Sequence, residues 1–125
     1  MIEGDILPLL EAAVDKRLAG YQVNIAAGTC ICVVLASAGY PGNYKKGKLI
    51  TGLDNLNRET MVFHSGTARK DGQLLTNGGR VLALAVRGSS MEEAIDQVYQ
   101  ELKKIHFEGM HYRSDIGRKS LRQGV

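Results

Sequence analysis

Glycine beside arginine is the combination in this 125-residue chain with the most direct chemical use. The run Thr76-Asn77-Gly78-Gly79-Arg80 falls between two strand-like segments. Glycines carry no Cβ, so their N–H groups can approach an anion closely. Arg80 adds a planar fork of donors suited to phosphate or carboxylate. Gly39-Tyr40-Pro41-Gly42, followed by Lys45 and Lys46, could form the opposite wall. The same residues also suit plain turns between strands, and composition alone does not choose. No Walker-type loop or dinucleotide fingerprint is present.

Other reactive side chains lack the spacing that chemistry needs. Cys30 and Cys32 fall on one face of a strand, because side chains alternate. Two thiols without two further ligands make no zinc site, and they read as small apolar packing residues. His106 and His111 are five apart with Gly109 between them, unlike the helical pair of zinc proteases. They read as the end of a helix, where an imidazolium meets the dipole. His64 stands apart from both. Ser37, Ser65 and Ser89 sit in no nucleophile elbow. Asp115 can accept from Arg113, as a solvated pair or as part of a site. No catalytic residue and no metal ligand is expected.

The elements that must position these groups follow from periodicity. Ile6, Leu9, Leu10, Ala13, Val14 and Leu18 predict a first helix, with Asp5 as N-cap and Gly20 after its end. Cys30–Ala36 is apolar throughout and reads as a strand buried on both faces. Lys48–Gly52 and Met61–His64 read as short strands. Gly66–Arg69 and Gln73–Thr76 flank Lys70-Asp71-Gly72, an Asp-Gly reversal that predicts a hairpin. Arg80–Arg87 is a further strand. Ser90-x-x-Glu93 is a capping box opening a second helix, whose stripe is Ala94, Ile95, Val98, Leu102 and Ile105. A last short helix is expected from Asp115 in the tail that runs to Val125. About five strands bunched between helices predict an α+β fold, a mostly antiparallel sheet with helices packed on one face. Residues 1–125 read as a single domain.

Composition excludes several classes. Glycine is high at 15 residues, yet only 2 prolines and no repeat period rule out collagen-like or low-complexity chains. Two cysteines cannot build a disulfide framework. No apolar stretch reaches membrane-spanning length and no signal peptide is evident, so a cytoplasmic protein with no membrane partner is expected. The net charge is +3, concentrated in residues 103–125 with six Lys/Arg against two acids. No basic patch is interleaved with aromatics for base stacking, so no nucleic-acid partner is expected.

Five segments together resemble a known family. They are Cys32–Gly42 (CVVLASAGYPG), Lys46–Asp54 (KGKLITGLD), Val62–Thr67 (VFHSGT), Leu75–Leu82 (LTNGGRVL) and Ile105–Gly117 (IHFEGMHYRSDIG). In this order and spacing, the chain is similar to the C-terminal domain of the phosphoribosylamine–glycine ligases, also called glycinamide ribonucleotide synthetases, of the ATP-grasp superfamily. The resemblance implies a part in purine biosynthesis: ATP, glycine and 5-phosphoribosylamine give glycinamide ribonucleotide, ADP and phosphate. It also implies that ATP and magnesium belong to central grasp domains absent from these residues, so that the chain alone is not expected to catalyse the ligation. It implies a substrate-side role, with Arg80 and the N–H groups of Gly78 and Gly79, and also Asn77, as contacts to the phosphate of phosphoribosylamine or glycinamide ribonucleotide. Expected partners are the ATP-grasp body of a ligase or, for a free-standing remnant, a second copy.

Overall fold

The computed structural model describes residues 1–122. Six strands and three helices form an α+β fold, in keeping with the expected class. The main sheet has the order β2-β5-β1-β6, with every pair antiparallel. Its strands are β1 (Thr29–Ser37), β2 (Met61–His64), β5 (Arg80–Gly88) and β6 (Met110–His111). A second, two-stranded sheet pairs β3 (Thr67–Lys70) with β4 (Gln73–Thr76). Asp71 and Gly72 both take positive φ at its turn, 50° and 77°, as the Asp-Gly signal requires. Lys48–Gly52 does not form a strand. It makes two single bridges instead, Leu49 to Leu75 and Thr51 to His106.

The core lies between the sheet and α2 (Met91–Leu102). Ala94, Ile95, Val98, Leu102 and Ile105, the predicted stripe, are all almost fully buried. They meet Ile31, Val33 and Leu35 of β1 and Leu82, Leu84 and Val86 of β5. The helix begins as its capping signal predicts, with Ser90 Oγ accepting from Glu93 N at 3.2 Å. The reciprocal bond is displaced by one residue: Glu93 Oε2 accepts from Ser89 N at 2.7 Å and from the Ser89 hydroxyl.

The opposite face of the sheet is uncovered by anything in the described residues. Cys30, Cys32 and Val34 of β1 alternate with the buried positions and are exposed. Across β5 the register lines up Val34, Ala83 and Phe63 in one row, and Cys32, Ala85 and Met61 in another. This corrects two expectations. The strand is buried on one face only, and its cysteines are not core residues. An apolar run records that neither face prefers water; it does not record that both are covered.

The first helix is also shorter and barer than its stripe predicts. α1 spans Leu7–Val14, with Ile6 as N-cap residue, and Asp5 Oδ1 accepts from Leu7 N at 2.9 Å one position earlier. A separate 3-10 turn covers Leu18–Gly20. Of α1 only Ala12 is buried, while Leu7, Leu10 and Val14 stand in solvent. The tail closes with α3 (Arg118–Arg122), and residues 123–125 of the predicted tail lie outside the described residues. No helix among the described residues is long and apolar enough to cross a membrane.

Candidate functional site

The chain reverses three times at one end of the main sheet. β1 ends at Ser37, β5 starts at Arg80, and β6 starts at Met110 beside Ser37. Ser37 ties these reversals together. Its N–H donates to Gly79 O at 2.8 Å and its hydroxyl donates to Gly78 O at 2.9 Å. The two glycine loops singled out from sequence are therefore in contact. Gly79 lies against the ring of Tyr40, where any Cβ would collide with it. A Cβ on Gly78 would come 2.9 Å from Gly66 Cα. Neither Gly78 nor Gly79 has positive φ, so close packing favours glycine at each, against the Gly66 backbone for Gly78 and against the Tyr40 ring for Gly79.

The N–H groups of Gly78 and Gly79 donate to no backbone carbonyl among the described residues, but Gly79 is buried under the Tyr40 ring and Gly78 is half-buried, so the Gly78 N–H is the better placed to meet an acceptor. Asn77 N, by contrast, is engaged with Gly66 O at 2.7 Å. Asn77 and Arg80 are exposed. Arg80 forms no ion pair among the described residues.

Beside this junction lies a cavity of about 350 Å³, walled by Ser37, Ala38, Gly39, Asn43, Lys45, Lys48, Glu108 and Gly109. Of the expected opposite wall, Gly39 and Lys45 line this cavity. Lys46, Gly78, Gly79 and Arg80 do not line this cavity. Lys48, Asn43, Glu108 and Gly109 were not singled out from sequence as site residues. Lys48 Nζ meets Glu108 Oε2 at 2.6 Å, bridging segments 60 residues apart in the chain. Only a knowledge of which strands are neighbours could have joined them. Hydrogen bonding from Lys48, its charge and that of Lys45 hold the Glu108 carboxyl below its ordinary range.

The remaining candidates are not gathered here into a reactive constellation. His106 pairs with Thr51 and His111 lies in β6, so neither ends a helix, contrary to expectation: α2 stops at Leu102 because the chain turns to rejoin the sheet. Arg113 and Asp115 form an exposed two-pronged pair at 2.9 and 2.7 Å. Partial burial, with Cys30 close by, pushes the Cys32 thiol up, away from the thiolate that a nucleophile requires. Among the described residues no three His, Cys, Asp or Glu side chains come together to hold a metal ion.

Comparisons with known proteins point in one direction. A family model described as "Phosphoribosylglycinamide synthetase, C domain" matches residues 30–119. The phosphoribosylamine–glycine ligase of Caldanaerobacter subterraneus is 41% identical over 116 residues, covering 93% of this chain and 28% of that protein. A bifunctional purine biosynthetic protein of Schizosaccharomyces pombe is 39% identical over 121 residues, covering 97% of this chain and 15% of the relative. In the crystal structure of the phosphoribosylamine–glycine ligase from Thermotoga maritima, the match has a TM-score of 0.68 at 42% identity. It covers 86% of this chain and 27% of that one. The chain thus spans little more than a quarter of the ligases it matches.

Proposed function

The chain belongs to the phosphoribosylglycinamide synthetase C-domain family, and on that premise we propose that it is the substrate-side domain of a phosphoribosylamine–glycine ligase in purine biosynthesis, a cytoplasmic process. In this reading it contacts the ribosyl phosphate of phosphoribosylamine or of glycinamide ribonucleotide at the end of the sheet where β1, β5 and β6 meet. The contacts are the N–H groups of Gly78 and Gly79, the Arg80 guanidinium and the Asn77 side chain. ATP and magnesium are held elsewhere in the ligase, and these 125 residues alone do not complete the ligation.

The observation that carries this reading is the contact between the two glycine loops. Ser37 and Tyr40 fix Gly78 and Gly79 with two unengaged donors, next to a cavity that carries two lysines. Backbone donors beside cations suit a phosphate. The uncovered sheet face, with Val34, Met61 and Phe63, and the bare face of α1 supply apolar surface on which the ligase body can pack.

Calorimetric titration of the chain with glycinamide ribonucleotide tests the proposal. Saturable binding is expected, with Arg80→Ala weakening it by about threefold, a modest loss because the guanidinium is exposed. Absence of binding at millimolar ligand would overturn the view that this domain holds the phosphate. The same apolar faces favour a second reading, a free-standing module that pairs with a copy of itself. A monomer whose sedimentation does not change with concentration would remove it.

A further inference from the structure

The loop that looks most like an anion cradle is built into the wall behind a different one. Thr76, almost fully buried, is joined to the neighbouring strand-like segment by three bonds. Lys48 N donates to Thr76 Oγ1 at 3.0 Å, Thr76 N donates to Lys48 O at 2.8 Å, and Gly47 N donates to Thr76 O at 2.6 Å. Ser37 binds the carbonyls of Gly78 and Gly79 from the other side. Residues 76–79 therefore set the positions of Lys48 and Ser37, two walls of the cavity. Gly39 and Gly109, both at positive φ, line it from two more directions.

The charges in this cavity are unevenly anchored. Lys48 is partly withdrawn from water, with 27% of its side chain accessible, while its partner Glu108 is 76% accessible. Lys45, exposed on the same wall, forms no ion pair among the described residues. Glu108 can leave into solvent without displacing anything, whereas Lys48 is held by its backbone. An ammonium in that position needs an anion, and the one it has is the easier of the two to replace. Once Glu108 leaves, two ammonium groups face a cavity of about 350 Å³, room enough for a sugar phosphate. Two positive charges match a phosphate dianion; a monocarboxylate would leave one of them uncompensated.

Resting on the ligase reading, but moving its phosphate from the Asn77–Arg80 loop to this cavity, we propose that the cavity is the principal seat of the sugar phosphomonoester, held between Lys45 and Lys48, and that the ligand takes the place of Glu108 on Lys48. Glu108 then competes with the phosphate for Lys48. It sets affinity by competition, and Thr76 is a positioning residue for Lys48.

Titration of the 125-residue chain with ribose 5-phosphate, with inorganic phosphate and with glycine tests this. It is run in the wild type, Lys45→Gln, Glu108→Gln and Arg80→Ala, each first shown to unfold at the wild-type denaturant midpoint. Ribose 5-phosphate should bind saturably, with inorganic phosphate weaker and competing for the same site, and glycine not competing. Lys45→Gln should weaken binding about tenfold, the loss of one charge-assisted contact. Glu108→Gln should tighten it about threefold, because the internal competitor loses its charge. A purely structural Glu108 would not tighten binding when neutralised. Wild-type affinity in Lys45→Gln together with a loss in Arg80→Ala would overturn this seat and leave the ligase reading standing. Weaker binding in Glu108→Gln, or displacement of ribose 5-phosphate by glycine, would also overturn it. Absence of saturable binding to any phosphate by the wild type would overturn both this seat and the view that the domain holds the phosphate.

Discussion

Two helices in this chain each carry apolar residues at helical spacing, α1 apolar nearly all round and α2 in one sharp stripe, and they meet opposite fates. In α2 the stripe Ala94, Ile95, Val98 and Leu102 is sealed against β1 and β5. In α1 the residues Leu7, Leu10 and Val14 face water, and only Ala12 is buried. Periodicity reports which face of a helix avoids water, and it is silent on whether a neighbour exists to cover that face. The same lesson holds within the sheet. Ile31, Val33 and Leu35 are buried under α2, while Cys30, Cys32 and Val34 on the reverse side are exposed.

The sharpest way to break this comparison is to shorten one leucine from each helix. Leu102→Ala opens a cavity in a packed core and should cost about 2–5 kcal/mol. Leu10→Ala removes surface that is already largely hydrated and should stay within about 0.5 kcal/mol. Urea unfolding of both variants measures the difference. Equal losses would mean that α1 is packed as tightly as α2, and the two regions would not differ as described.

Where local chemistry decided the outcome, the sequence was legible. The hairpin at Asp71-Gly72, the limits of Met61–His64 and the capped start at Ser90 all depend on residues within a few positions of one another. What was missed depends on distant partners. The cavity's Lys48–Glu108 pair joins segments brought together by the bridge between Thr51 and His106. Gly78 and Gly79 were read as donors to an anion, yet their immediate constraint is the approach of Gly66 and Tyr40. The run Cys30–Ala36 could not disclose that one of its faces lacks a cover in these residues.

A smaller effect sharpens the comparison at the helix starts. Ser90 holds an N–H of α2 through its side chain, and Ser90→Ala should cost about 1 kcal/mol. Asp5 makes a similar bond to Leu7 N in front of α1. Because α1 opens with little loss of buried surface, Asp5→Ala should barely move the global midpoint while raising hydrogen exchange at Leu7. A loss in Asp5→Ala as large as that in Ser90→Ala would show that α1 unfolds only together with the core.

The smallest effect is confined to acid and again belongs to α2. Glu101 is largely buried, and that burial raises its pKa, but the opposing contacts prevail. Lys104 Nζ donates to it at 2.7 Å and Asn57 N at 2.9 Å, so its carboxyl sits below the ordinary value of 4.5. A carboxyl more acidic in the folded chain than in the unfolded one binds protons preferentially on unfolding. Its contribution is complete above the unfolded value and disappears as pH falls through the folded one. Glu93 is lowered too, chiefly by the Ser89 hydroxyl and N–H, and acts in the same window. Glu101→Gln should therefore flatten only part of the decline in stability below about pH 4.5. It should also loosen residues 57–60, which the carboxylate ties to α2 through Asn57. Denaturant midpoints measured from pH 6 to pH 3 test the sign, because an unchanged slope in Glu101→Gln would mean that Glu101 takes up no additional proton on unfolding.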